Sequence, residues 1–92
     1  MGIRGASSKT IASTAAPTSP TVTASPFTYQ NTSTGPQNAM VSGGTVTVLE
    51  YSRDGTVFYP VGLLGGIVSL NPNDKVRVTY AVAPAVTVIQ VS

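Results

Sequence analysis

Three carboxylates are all the acid this 92-residue chain contains: Glu50, Asp54 and Asp74. It has no histidine and no cysteine, so the usual general base, the usual transition-metal ligands and the thiolate nucleophile are missing together. Lysine could act as a substitute base for one of the many serines, and only Lys9 and Lys75 are present. Glycoside hydrolysis needs two carboxyl groups facing each other across a cleft, and nothing in the sequence pairs any two of these three. Asp54 precedes Gly55, and Asp74 closes Asn71-Pro72-Asn73-Asp74. In such turns a short carboxylate caps neighbouring backbone N–H groups. Glu50 lies within a β-rich run, on a solvent face or at a subunit contact. An enzyme is therefore not expected, and no residue stands out as catalytic.

Ligand sites fare no better. Asn71, Asn73 and Asp74 could offer oxygens to calcium, but a type I or II turn with Pro72 in second place uses the same residues. The run Gly62-Leu63-Leu64-Gly65-Gly66 lacks the Lys-Ser/Thr and the following helix of a phosphate-cradling loop. Glycines in a tight β-connection explain it. No metal and no other cofactor is expected.

Charge is sparse, at 9% of residues against about a quarter in an ordinary soluble domain. Such a surface is either rich in Ser, Thr and Asn or covered by neighbours. The net charge of +2 resolves into Arg4 and Lys9 near the start, with Arg53, Lys75 and Arg77 balancing the three acids beyond. Phosphate binding grows with the number of clustered cations, so nucleic acid is not an expected partner. The opening residues have no continuous apolar segment of a secretory leader. Met1-Gly2 is followed by Ala6 where an acylation signal needs Ser or Thr. Neither a leader nor a membrane partner is expected.

Two regions differ in texture. Residues 1–20, MGIRGASSKTIASTAAPTSP, contain no aromatic residue, and Met1, Ile3 and Ile11 are their only apolar side chains larger than alanine. Such a segment cannot build a core, and Pro17 and Pro20 favour an extended exit. It reads as an N-terminal arm, either a free tail or a strand-like segment that pairs with a neighbour's sheet edge. Residues 21–92 hold all six aromatics and read as one β-domain, with a thin core and no disulfide to supplement it.

Within that domain, Thr45–Tyr59 (TVTVLEYSRDGTVFY) is the centrepiece, because Asp-Gly between β-rich runs is the strongest short-range hairpin signal. Thr21–Ala24 is a possible first strand, and Phe27–Asn31 alternates with its rings inward. Asn31–Asn38 is a polar loop, and Ala39–Ser42 is a short strand stopped by Gly43-Gly44. Val46 and Val48 have opposite parity to Leu49 and Tyr51, which requires either two covered faces or a bulge near Val48. Pro60 cannot donate to a ladder and belongs at a sheet edge. Ile67–Leu70 follows. Lys75–Val82 sends Val76, Val78, Tyr80 and Val82 inward, Pro84 ends it, and Ala85–Val91 closes the chain with a parity change between Val88 and Ile89. No stretch has helical apolar spacing. Seven or eight strands at intervals of about 8 to 12 residues predict an all-β fold, a small antiparallel β-sandwich or barrel with an extended N-terminal arm.

The succession SPFTYQN, VSGGTVTVLEYSRDGTVFYPVG and LNPNDKVRVTYAVAPAVTVI, covering Ser25 to Ile89, resembles small all-β structural proteins of tailed bacteriophages. These decorate heads or contribute to fibres. The similarity is one of strands and turns and carries no functional residues across. It implies a virion protein, assembled in the host cytoplasm onto the capsid surface, that binds the major capsid protein or other virion proteins. Decoration, fibre and tail modules share the pattern.

Low charge and the arm favour a decoration or cement protein. The alternative is a fibre or tail module, or a glycan-binding sandwich whose exposed Tyr29, Tyr59 or Tyr80 stack on sugars. The residues expected to meet partners are Ile3, Arg4, Lys9 and Ile11 in the arm and Leu63 and Leu64 in the glycine-rich loop. A homo-oligomer is expected, with a trimer suiting a threefold position.

Overall fold

Turn residues divide the chain into seven strands. In the computed structural model, which describes residues 13–92, these are β1 (Phe27–Gln30), β2 (Gln37–Ser42), β3 (Thr45–Ser52), β4 (Tyr59–Pro60), β5 (Gly66–Leu70), β6 (Lys75–Val82) and β7 (Ala85–Gln90). They form two antiparallel sheets, ordered β1-β6-β3-β4 and β5-β2-β7. Among the described residues there is no helix. The all-β expectation holds, in its sandwich form.

Every connection except one passes from sheet to sheet. Only β3 and β4 are joined as a hairpin, pairing Glu50 with Pro60 and Tyr51 with Tyr59. Its loop, Arg53 to Phe58, is longer than the two-residue turn that Asp-Gly favours, because Asp54 organises a wider one. The Asp54 carboxylate accepts from the Thr56 and Val57 N–H groups at 2.8 and 3.0 Å, and the Gly55 N–H donates to the Ser52 hydroxyl at 2.8 Å. Asn71–Asp74 is a turn with Asn73 at φ 73°, the type II form. It links opposite sheets.

The core lies between the inner faces. Val46, Leu49, Val76 and Val78 of the larger sheet meet Ala39, Val41, Val68, Leu70, Val86 and Val88 of the smaller, with Phe27, Tyr29, Tyr51, Val61 and Tyr80 packed around them. The parity conflict in β3 is resolved by register shifts against β6 on both sides of Val46. An extra residue in one strand of the pair turns the following side chains over, so Val46 and Leu49 are both buried while Val48 points out. β7 needs no such device. Val86 and Val88 are buried, and Ile89 lies half-buried on the outer face.

Two further expectations are corrected. Thr21–Ala24 is not a strand; Val22 instead packs against the core from an irregular segment. Val82 is not inward but 58% exposed. Beyond the bulge it lies opposite Thr45, where β6 has run past the core and its alternating burial fades.

The arm's last third is docked. Thr18 and Val88 exchange two backbone hydrogen bonds of 2.9 and 2.7 Å, and the Ser13 N–H donates to the Val91 carbonyl at 3.0 Å. Residues 13–18 thus run antiparallel along the outer edge of β7, although Thr14 to Ser19 keep their side chains exposed.

Candidate interaction surface

The two ends of the sandwich differ in chemistry. At the end marked by Leu70, Gln90 and Lys75, polar side chains form an interlocked set. Asp74 is 2% exposed, a position a carboxylate holds only when paired. It accepts from the Tyr51 hydroxyl at 2.6 Å and the Asn71 N–H at 2.9 Å, and Arg53 reaches its other oxygen at 3.3 Å. Asn31 is fully buried and fully used. Its amide donates to the Gly35 and Leu70 carbonyls, both at 3.0 Å, and accepts from the Ser33 N–H and hydroxyl. A third chain of bonds runs from the Tyr29 hydroxyl to Gln37, and from Gln37 to Gln90, each 2.7 Å. These groups fix loops to strands. The described surface contains no cavity.

The three acids occupy structural positions. Asp54 caps its own loop, and the N–H groups of Val57 and Thr56 hold its carboxyl below the usual carboxylate range. Asp74 joins the Asn71 turn to Tyr51. Glu50 lies on the outer face of the larger sheet, where the Arg77 Nε donates to it at 2.9 Å. The Arg77 guanidinium also stacks 3.7 Å above the Phe58 ring, an arrangement that shields the pair from water on one side. Asn73 accepts from Gln30 through its side chain.

Among the described residues, the opposite end carries no charge. It is built from Ser42 to Thr45, Val61 to Ile67 and Tyr80 to Val86, none of them charged. Here Leu63 is 64% exposed, Leu64 57%, Ile67 62% and Val82 58%. Scattered exposed leucines are ordinary; four large apolar side chains at one uncharged end are a recognition feature. Leu63 and Leu64 lie where the glycine-rich loop was expected to present them. Ile67 and Val82 were missed, because Ile67 was read only as part of a short strand and Val82 was taken as inward. The signal available was the absence of any charge from Gly55 to Asn73 and from Val78 to Ser92.

The four sheet edges are also unequal. β4 is two residues long and contains Pro60, which matches the edge position that proline predicts. β7 is covered by residues 13–18. β1 has four residues, follows Pro26 and shows only Thr28 and Gln30 outward. β5 is different. It has five residues, no proline and no charge, exposes Ile67, and pairs on one side only, with β2. Natural edges are normally blunted by prolines, charges or covering segments, and among the described residues β5 has none of these.

Ile3, Arg4, Lys9 and Ile11 lie outside the described residues. Among the tyrosines, Tyr29 is half-buried with its hydroxyl engaged, Tyr80 packs against the core, and Tyr59 is 60% exposed. No known protein family, curated protein or solved structure matches the chain.

Proposed function

We propose that this chain is a non-enzymatic structural protein of a bacteriophage particle, a decoration or cement protein that binds neighbouring capsid subunits through its arm and strand edges. The observation that carries the binding role is the end, uncharged among the described residues, where Leu63, Leu64, Ile67 and Val82 are exposed beside a β5 edge that no described residue pairs with. Apolar surface in water is costly by about 25 cal/mol per Å², and a partner that covers it recovers that free energy. The resemblance of strands and turns supplies the virion context. Self-association as a trimer accompanies attachment in this reading. Quantitative mass spectrometry of purified particles tests it: a copy number close to that of the capsid protein is expected, and a handful of copies per particle would refute decoration. Tyr59, exposed on edge strand β4, supports one second reading, a glycan-binding fibre or tail module. Low copy number together with sugar binding lost in Tyr59→Ala would favour that.

A further inference from the structure

We infer that residues 13–18 form a reversible strap over the edge of β7, which opens and closes while the sandwich beneath it stays folded. The inference goes beyond the attachment reading and stands whether or not that reading holds. Little secures the strap. Its backbone meets β7 and the residue after it through three hydrogen bonds, two exchanged between Thr18 and Val88 and one from the Ser13 N–H to the Val91 carbonyl. Between these points, Thr14 to Pro17 make no backbone bond to the strand. The Ala15 N–H turns back to the Ser13 hydroxyl at 3.1 Å, and Pro17 has no N–H to give. Side chains from Thr14 to Ser19 are exposed, so apolar burial does not hold the segment down. In water a hydrogen bond gains about what ordering one residue costs, and three bonds therefore fall short of ordering six residues. Pro17 and Pro20 restrict the free chain in advance and narrow that gap. The strap is left close to balance between docked and open.

The opening stops at a firmer point. Pro20 is half-buried and Val22 packs against the core, so the chain is fixed again just beyond the strap. Beneath it, β7 is an edge that needs a cover. Residues 85–92, AVTVIQVS, hold neither charge nor proline, the features that ordinarily blunt an exposed edge. Along a strand, successive N–H groups point to opposite edges. The Val88 N–H meets Thr18, so those of Thr87 and Ile89 point to β2, where Met40 and Asn38 face them. One strand thus carries amides guarded by the strap and amides guarded by the sheet. Undocking bares the Val88 backbone and moves the point where the arm leaves the domain from Ser13 to Val22, which frees about nine more residues, or about 30 Å of extended chain.

Amide hydrogen exchange in the full-length protein, resolved residue by residue by NMR, tests the strap directly. After correction for intrinsic rates, the Val88 N–H should exchange about a hundredfold or more faster than its neighbours Thr87 and Ile89, because local opening needs far less free energy than opening the sheet. Low urea should leave the Val88 rate unchanged, since lifting the strap exposes little surface. Thr18→Pro removes the donor to the Val88 carbonyl. In that variant exchange at Val88 should quicken several-fold further, while Thr87 and Ile89 exchange as in the parent. Equal protection of Val88 and its two neighbours in the parent would overturn the inference, because the strap would then open only together with the sheet. A Thr18→Pro variant in which all three amides lose protection together would also overturn it, by making the strap part of the cooperative core.

Discussion

Val78 is one of the two most enclosed valines of the larger sheet, with Val76. It is 1% exposed and paired with Phe27 on one side and Leu49 on the other. Val78→Asp places an unpaired charge there, at several kcal/mol against a total stability of about 5 to 15, so the variant should be unfolded by circular dichroism at 25 °C. Asp54 gives a gentler test. Backbone N–H groups lower its carboxyl pKa in the folded state, so its contribution is present above the unfolded value, about 3.9, and is lost as pH falls through the lower folded value. Urea melts should therefore show Asp54→Ala less stable than the parent at pH 7, with the difference shrinking below about pH 4. The capping role of Asp54 was legible because Asp-Gly announces a turn. Asn31 was not: in NTSTGPQN it looks like any loop polar residue, and only the folded loop shows that its amide binds both Gly35 and Leu70.

Elements were legible where periodicity and turn chemistry agreed. β1, β6 up to Tyr80 and the Pro60 edge follow from alternation and from proline's missing donor. The β3 bulge was visible as a parity conflict that sequence alone could not decide, since a second covered face would have produced the same pattern. Sheet assignment was hidden, because a tight turn looks alike whether it joins neighbours in one sheet or strands of two. Gly43 and Gly44, which carry the chain from β2 to β3, show what such a crossing requires. Both have positive φ, 74° and 63°, where a side chain costs about 1 to 2 kcal/mol. A Cβ on Gly43 would meet nothing within 4 Å, whereas on Gly44 it would come within 2.5 and 2.6 Å of the Val82 and Ala83 carbonyl oxygens. Gly44→Ala should accordingly lose clearly more stability than Gly43→Ala in urea denaturation. Equal losses would mean that the two corners do not abut.

For the whole molecule, the governing feature is the separation of charge from exposed apolar surface. Arg53, Asp54, Asp74 and Lys75 gather at one end, the Glu50–Arg77 pair lies on the outer face, and Leu63, Leu64, Ile67 and Val82 occupy the other end. The described part of the arm, Ser13 to Thr18, begins at the polar end, and the attachment role proposed above uses the arm there and the exposed apolar groups at the other end. Residues 1–12 reach about 40 Å when extended, enough to cross onto an adjacent subunit. The decisive measurement is the occupancy of particles by full-length protein and by protein lacking residues 1–12, compared at equal concentration across a range of salt, with melting curves showing both folded. Occupancy should fall sharply on removal of the arm. Equal decoration by both forms at every salt concentration would contradict attachment through the arm.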